Sequence, residues 1–252
     1  MRLTIVGCAG SFPGPDSAAS SYLLEAEHED RTWRLVIDLG NGALGQLQRY
    51  CDPRDVDGFA LSHLHPDHCI DMASWAVLSK YHPDGAYDEV PVYSPQGALE
   101  YLGWAGGPGG ERGDTGVRFV EWDSAPVHEL GPFRITSSRV DHPVPAYGMR
   151  IEVGDTVLAY SGDSGPVDVL VDLARDADLF LCEASFVESA DNPPHLHLTG
   201  AEAGSIAARA GVRHLLVTHI PAWTDRDEVE SDLATAWTGR YDLVGPGQTY
   251  EV

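Results

Sequence analysis

Lysine is almost absent from this chain: Lys80 is the only lysine in 252 residues. Arginine supplies the other basic side chains, and 16 basic residues face 39 acidic ones, which gives a formal net charge of −23. A surface with so few cations repels polyanions, which argues against broad binding to nucleic acid. A small anionic substrate is not excluded, because bound metal ions dominate the field around them.

Cysteines are few and long apolar runs are missing. The four cysteines form no C-x-x-C pair, which indicates reduced, mostly buried thiols rather than a disulfide framework. No apolar stretch approaches the length of about 20 residues that spans a bilayer. The apolar run within residues 1–7 is too short for a signal peptide. We therefore expect a cytoplasmic protein without membrane contact.

The length and the composition fit one large globular unit. Apolar residues make up 43% of the chain and charged residues 22%, as in soluble globular proteins. No linker or internal repeat divides the chain, so we predict a single domain over residues 1–252. Predicted strands alternate with predicted helices, which favours an α/β fold of two mixed β-sheets, face to face, with helices outside.

Four residues able to bind a metal lie within six positions of one short stretch. They form the pattern His63-x-His65-x-Asp67-His68. Imidazole nitrogens and carboxylate oxygens are the ligands that zinc and similar divalent ions prefer. The alternative is a histidine-rich surface turn, but four such residues at this spacing favour a metal site. One stretch cannot fill two coordination shells, so further ligands must come from elsewhere.

The stretch is predicted to lie where a strand ends and a helix begins. Apolar residues up to Leu61 predict a short buried strand, and Pro66 suits the first turn of a helix that continues to Leu78. In an extended chain His63 and His65 point the same way. Residues on the following helical turn point elsewhere, so the stretch can supply ligands to two adjacent metals.

Other ligand-type side chains also follow predicted strands. Sites in layered α/β folds form where strands end, so we expect these residues to converge on the histidine stretch. Asp38 has two open interpretations, as a turn former or as an acid that orients a ligand histidine. The residues concerned are Asp38, His142, Asp163 and His219.

Two further stretches have clear local patterns. Residues 103–116 are rich in glycine and lack the Lys-Ser/Thr ending of a P-loop, so they are predicted to form a flexible loop or lid. Thr199 and Glu202 have the spacing of a capping box, which predicts a helix that ends at Gly211.

The order of these residues resembles the metallo-β-lactamase superfamily along nearly the whole chain. The resemblance implies the four-layer αβ/βα sandwich and a site for two divalent metals, with zinc favoured and manganese as an alternative. It assigns one metal to His63, His65 and His142 and the other to Asp67, His68 and His219, with Asp163 between them. The spacing leaves open whether Asp67 is a ligand or a base.

Within the superfamily, the flanking segments resemble the ribonuclease Z and phosphodiesterase branch. The segments that carry this resemblance are residues 145–150, 161–164, 183–186 and 197–200. In that branch the histidine that matches His197 assists phosphodiester cleavage, so His197 is a candidate catalytic residue. Glu183 is a candidate to orient it, or else merely ends a strand. His195 has no such match and is interpreted as a loop histidine.

The departures from the branch narrow the expected function. Processing enzymes for tRNA carry a long arm between the positions of His142 and Asp163, where this chain has room for one hairpin only. Residues 7–20 and 182–185 look most like actinobacterial proteins described as atypical cyclic-nucleotide phosphodiesterases. The resemblance thus implies hydrolysis of a small phosphodiester such as cyclic AMP by a metal-activated hydroxide.

Three other functions remain as alternatives. They are a ribonuclease Z-type tRNA 3′-endonuclease, a thioester or lactone hydrolase of the same fold, and a non-catalytic binding protein. The complete set of candidate ligands argues against the last. Dimers are common among relatives, so a homodimer is one candidate partner state, but the sequence leaves the oligomeric state open.

Overall fold

The computed structural model describes residues 1–102, 116–189 and 191–252. The predicted glycine-rich loop or lid therefore lies outside the described residues, apart from Gly116 at its end. None of the helices in the described ranges combines the length and the apolar character that crossing a membrane requires.

The described residues form two β-sheets. The first contains β1 (Arg2–Ala9), β2 (Ala18–Ala19), β3 (Ser21–His28), β4 (Arg31–Ile37), β5 (Gly58–Ala60), β6 (Val90–Ser94), β7 (Val117–Glu121) and β15 (Thr249–Glu251). The second contains β8 (His128–Leu130), β9 (Phe133–Arg139), β10 (Tyr147–Val153), β11 (Thr156–Tyr160), β12 (Leu179–Glu183), β13 (His214–Thr218) and β14 (Arg240–Leu243).

Both sheets are mixed. In the first, the strand order is β15-β1-β3-β4-β5-β6-β7 with β2 on β1, and β4 to β7 run parallel. In the second, the order is β14-β13-β12-β11-β10-β9-β8, and β11 to β14 run parallel. Parallel strands need crossover connections, and helices provide most of them.

Seven α-helices accompany the sheets in the described part of the chain. They are α1 (Ala43–Leu47), α2 (Pro66–Cys69), α3 (Met72–Tyr81), α4 (Ala98–Leu102), α5 (Asp168–Leu173), α6 (Gly200–Ala210) and α7 (Arg226–Ala236). The capping box is present: the Thr199 hydroxyl accepts from the Glu202 N–H, and the Glu202 carboxylate accepts from the Thr199 N–H. This predicted helix is confirmed, and it ends at Gly211 with a φ of 68°.

Three groups of buried side chains define the layers. One lies between the sheets and joins residues such as Ile5 and Leu24 to Met149 and Leu181. A second packs α1, α2 and α3 on the outer face of the first sheet. The third packs α5, α6 and α7 on the outer face of the second. The predicted four-layer αβ/βα sandwich is confirmed.

The helix predicted from Pro66 to Leu78 is interrupted. It consists of α2 and α3, which are separated at residues 70 and 71. The cause is tertiary: the Asp71 carboxylate accepts the Leu44 N–H at 2.9 Å, and the Asp71 N–H donates to the Leu39 carbonyl at 3.1 Å. Because these bonds reach the neighbouring loop, they hold Asp71 out of a continuous helix.

The strand predicted to end at His142 ends three residues earlier, at Arg139. The Val140 N–H donates to the Ala146 carbonyl at 3.0 Å, so the chain turns between these residues. Proline at 143 and 145 lacks the N–H that a strand ladder needs. His142 therefore lies in a turn rather than in a strand.

The close contact between α6 and α7 gives a test of packing. A methyl group on Gly200 would lie 2.3 Å from the Val229 carbonyl oxygen, whereas one on Gly45 in α1 would meet nothing within 4 Å. Alanine in a helix is usually favoured over glycine by about 0.5–1 kcal/mol, but overpacking costs about 1–3 kcal/mol. We expect Gly200→Ala to lower the midpoint of urea unfolding and Gly45→Ala to leave it equal or higher. Equal midpoints for both variants would contradict this packing.

Candidate metal centre

The predicted site residues come together at one edge of the sandwich, where parallel strands end. Asp38 follows β4, and the histidine stretch follows β5. In the second sheet Glu183 is the last residue of β12, and His219 comes directly after β13. Side chains at the carboxyl ends of parallel strands share one edge of their sheet, so the order of strands brings residues from distant parts of the sequence together.

Three histidines form the first group. The Nε2 atom of His63 lies 3.0 Å from Nδ1 of His65, and Nε2 of His142 lies 3.3 Å from the same Nδ1. His63 is fully buried, and the other two are partly exposed. The chain therefore brings together the three residues that the resemblance assigned to one metal.

Two carboxylates and two histidines form the second group. The Nε2 atoms of His68 and His219 are 3.0 Å apart, and Oδ2 of Asp67 lies 3.1 Å from Nε2 of His219. Oδ1 of Asp163 lies 3.3 Å from Nε2 of His68, and its Oδ2 lies 3.7 Å from Nε2 of His63 in the first group. Asp163 thus lies between the two groups, as the resemblance implied.

Hydrogen bonds at Nδ1 define which ring nitrogen each ligand histidine can offer. His68 donates from Nδ1 to the Asp38 carboxylate at 2.7 Å. His142 donates from Nδ1 to the Leu196 carbonyl oxygen at 2.9 Å. A neutral imidazole carries one proton, so Nε2 of both rings is left with a free lone pair.

Two serines play the same part for other histidines. Ser62 donates its hydroxyl proton to Asp38 at 2.8 Å, so its oxygen accepts from Nδ1 of His63 at 3.1 Å. Ser185 donates to the His219 carbonyl oxygen at 2.8 Å, so its oxygen accepts from Nδ1 of the same residue at 2.7 Å. Nε2 of His63 and of His219 therefore also carries a lone pair.

This arrangement fits divalent cations. Nε2 of His68 and Nε2 of His219 face each other at 3.0 Å, which is repulsive for two neutral rings unless a proton or a metal cation lies between them. Oδ1 of Asp163 is buried and has no hydrogen-bond partner among the described residues. Buried polar atoms are almost always paired, so these atoms fit metal ligands.

The electrostatics of the first group keep its histidines neutral, as ligands must be. Burial lowers the pKa of His63 well below its usual value and outweighs the nearby Asp163 carboxylate. Burial also lowers the pKa of His65 and of His142. A neutral imidazole offers its lone pair to a metal without first losing a proton.

The second group contains concentrated negative charge. Burial alone would raise the pKa of Asp67 and Asp163, but the surrounding histidines lower both well below the usual range. Burial would lower the pKa of His68, yet the carboxylates of Asp163 and Asp38 raise it well above normal. The same carboxylates attract a divalent cation in place of that proton.

Asp38 is the centre of a buried hydrogen-bond network. It accepts the Ser62 N–H at 2.6 Å, the Ser62 hydroxyl, the Tyr160 hydroxyl at 2.8 Å and Nδ1 of His68. Its φ is 54°, so it is also a turn residue. Both interpretations of Asp38 therefore hold: it turns the chain and orients a candidate ligand.

Three of these supporting residues were not predicted from the sequence: Ser62, Tyr160 and Ser185. Each lies within three positions of a candidate ligand or of Glu183 in the sequence. Their position was a usable signal, because polar groups next to buried ligands tend to be their hydrogen-bond partners. The contact of Tyr160 with Asp38 could not be predicted, because a tyrosine at the end of a strand also suits a core position.

His197 lies beside the second group and is held by Glu183. Its Nδ1 donates to Oε1 of Glu183 at 2.9 Å, and the same oxygen accepts the Ser164 N–H at 2.8 Å. Burial lowers the pKa of His197, but the Glu183 carboxylate outweighs it and raises the pKa to about 9. Glu183 therefore orients His197. His195 lies outside both groups, with its Nδ1 bonded to Asp141 at 2.7 Å.

Comparison with known families agrees with this architecture. A family model described as "Beta-lactamase superfamily domain" matches residues 33–220, which is most of the chain. The chain belongs to the metallo-β-lactamase superfamily. Together with the convergent histidines and carboxylates, this membership confirms the prediction of a metal-dependent hydrolase.

The chain is similar over its full length to proteins of two bacteria. It is 48% identical to the uncharacterized protein Rv1339 of Mycobacterium tuberculosis, with 100% of this chain and 92% of that protein covered. It is 28% identical to the probable metallo-hydrolase YhfI of Bacillus subtilis, with both chains fully covered.

Solved structures share the fold. The crystal structure of YhfI from Bacillus subtilis aligns with a TM-score of 0.85 at 27% identity, and covers 99% of this chain and 98% of that one. The human tRNase Z short form aligns with a TM-score of 0.75 at 18% identity, over 100% and 99% of the two chains. Both alignments agree with the two-sheet sandwich described above.

The role of Asp38 gives a testable prediction. Asp38→Asn removes the negative charge that holds the His68 ring, and loss of such a partner weakens metal affinity by about 10–100-fold. Titration of the metal-free variant with zinc against a competing chelator measures this loss. Asp242→Asn is the matched control, because Asp242 bonds His214 at 2.8 Å in a pair that contains none of the site residues. Equal zinc affinities in the two variants would contradict the role of Asp38.

Proposed function

We propose that this metallo-hydrolase is a dinuclear phosphodiesterase that hydrolyses a small phosphodiester, with cyclic nucleotides such as cyclic AMP as its substrate class. The observation that carries the proposal is the His197–Glu183 pair next to the two ligand groups. A hydrolase for thioesters or lactones would not need a protonated histidine at this place.

The ligand set suits zinc, with manganese as the alternative. It offers five imidazoles and two carboxylates: His63, His65, His68, His142, His219, Asp67 and Asp163. Imidazole-rich sites favour zinc, whereas manganese prefers sites richer in oxygen. When bound, two divalent cations would lower the pKa of water and neutralise the charge of the phosphate oxygens.

His197 would supply the proton that the leaving group needs. The Glu183 carboxylate keeps its ring protonated at neutral pH and fixes its orientation through Nδ1. The ring is mostly buried in the wall of the site. Because 12% of the side chain is exposed, it can still contact a substrate. A positioned proton donor of this kind accelerates hydrolysis by about 10²–10⁴-fold.

Asp67 is better suited to hold a metal than to act as a base. Its pKa lies well below the usual range because His219 and His68 stabilise the carboxylate. A carboxylate with so low a pKa is a weak proton acceptor at neutral pH. We therefore assign proton transfer to His197 and charge balance to Asp67.

Large nucleic acids fit this protein poorly. The segment between His142 and Asp163 contains only the hairpin of β10 and β11, which leaves no arm for gripping tRNA. The net charge of −23 opposes a polyanion at every approach. The likeness to human tRNase Z at 18% identity concerns the fold and does not extend this activity to the present chain.

A substrate panel tests the proposal. The metal-loaded protein should hydrolyse cyclic AMP and bis(4-nitrophenyl) phosphate, and it should leave precursor tRNA and a thioester intact. Removal of metal with a chelator should abolish hydrolysis, and zinc or manganese should restore it. His63→Ala should lose both bound metal and activity. Cleavage of precursor tRNA in preference to cyclic AMP would overturn the proposal, as would full turnover by His63→Ala.

The role of His197 predicts a dependence on the leaving group. His197→Ala should reduce the turnover of cyclic AMP by about 10²–10⁴-fold, because the leaving alkoxide needs a proton. The same variant should lose far less activity on bis(4-nitrophenyl) phosphate, because nitrophenolate leaves without one. Metal content measured in parallel should stay unchanged, and His28→Ala, an exposed histidine at the end of β3, is the control. Equal losses of turnover on both substrates would contradict the role of His197 as proton donor.

A further inference from the structure

A pocket of about 280 Å³ opens beside His197, outside the two ligand groups. We call it the His197 pocket. Pockets that hold drug-sized ligands measure about 300–1,000 Å³, so this one suits a smaller group. The residues of its wall that matter here are Phe186, Glu188, Asn192, His195, His197 and Glu202.

Hydrogen bonds hold one wall of the pocket against the metal centre. His195 and His197 lie on the same loop, and they donate to Asp141 at 2.7 Å and to Glu183 at 2.9 Å. The carbonyl oxygen of Leu196, which lies between them, accepts a hydrogen bond from Nδ1 of His142 at 2.9 Å. Three successive residues of this loop are thus bonded to a candidate ligand or to a neighbour of one, so the pocket keeps a fixed position relative to the ligand groups.

Two carboxylates are fixed in the pocket by one residue. The Thr199 hydroxyl donates to Glu188 at 3.2 Å, and the Thr199 N–H donates to Glu202 at 2.9 Å. No arginine or lysine is among the described residues that line the pocket. The pocket therefore offers acceptors to hydroxyl and amino groups and repels further negative charge.

An aromatic side chain adds an apolar surface next to the proton donor. The Phe186 ring lies 5.1 Å from the His197 ring, at an interplanar angle of 88°. The Phe186 N–H donates to the Leu198 carbonyl at 3.1 Å, which fixes this residue to the same loop. A flat heterocycle gains from contact with such a ring, and anionic groups do not.

We propose that the His197 pocket binds the nucleoside part of the substrate and that Glu188 and Glu202 select substrates with a single phosphate. This inference rests on the proposed function: if His197 protonates the leaving oxygen, the sugar that carries this oxygen must lie beside His197. Sugar hydroxyls and base amino groups then donate to the two carboxylates. A second phosphate on the nucleoside would approach the same carboxylates and be repelled.

Direct binding tests the selection without any need for turnover. Calorimetric titration of the zinc-loaded protein should show that adenosine 5′-monophosphate binds at least about tenfold more tightly than adenosine 3′,5′-bisphosphate, because like charges brought together weaken binding. In the double variant Glu188→Gln/Glu202→Gln, the ratio of the affinities for the monophosphate and the bisphosphate should fall close to one. Glutamine retains the acceptor at Glu202 that the capping box uses, so the fold should be preserved.

The matched control removes the same amount of negative charge at a place away from the pocket. Glu228→Gln/Glu230→Gln removes two carboxylates from α7, neither of which lines the His197 pocket, and should leave the ratio at its wild-type value. Equal or tighter binding of the bisphosphate by the wild type would overturn the inference, and so would a ratio that both double variants reduce equally. If the wild type prefers the monophosphate but does not hydrolyse cyclic AMP, only the proposed function is contradicted. If it hydrolyses cyclic AMP but does not prefer the monophosphate, only the pocket assignment is contradicted.

Discussion

The structure depends on a repulsion that a bound cation relieves. Nε2 of His68 faces Nε2 of His219 at 3.0 Å, and Asp38 and Ser185 engage the Nδ1 atoms, so two neutral rings would meet lone pair to lone pair. Burying such groups without partners costs several kcal/mol. Folding therefore brings together two rings that need a proton or a metal ion between them, so protons and metal ions compete for this place, and metal affinity is linked to the free energy of unfolding.

Much of the site follows from local sequence patterns. The spacing of His63, His65, Asp67 and His68 and the placing of other candidates after strands were enough to predict that they converge, and they do. The pattern worked because a parallel strand puts its carboxyl end at a common edge, whatever the loops do. Whether each residue binds a metal remains a prediction that the binding experiments address.

Features that arise from tertiary contacts were not accessible in the same way. The break between α2 and α3 requires the bond from Leu44 to Asp71, 27 residues apart, and helical periodicity carries no trace of it. The support of Asp38 by Tyr160 spans 122 residues. His142 sits in a turn because Val140 bonds Ala146, a contact that competes with continued strand pairing. Each difference is a long-range or turn interaction that overrides a local preference.

The distribution of charge relates the surface to the site. A net charge of −23 would repel any phosphate, yet the ligand groups hold only two carboxylates against five imidazoles, so two divalent cations would leave the centre locally positive. The Debye length at physiological ionic strength is about 8 Å. Salt therefore screens the distant surface charges but not the charges inside the site. A small diester, the substrate class proposed here, would therefore meet attraction once it enters, whereas a polyanion would remain in contact with the repelling surface outside. Under the proposed function, the acidic surface and the His197 pocket would thus act in the same direction: both would favour a compact substrate that carries its only negative charge at the bond to be cleaved.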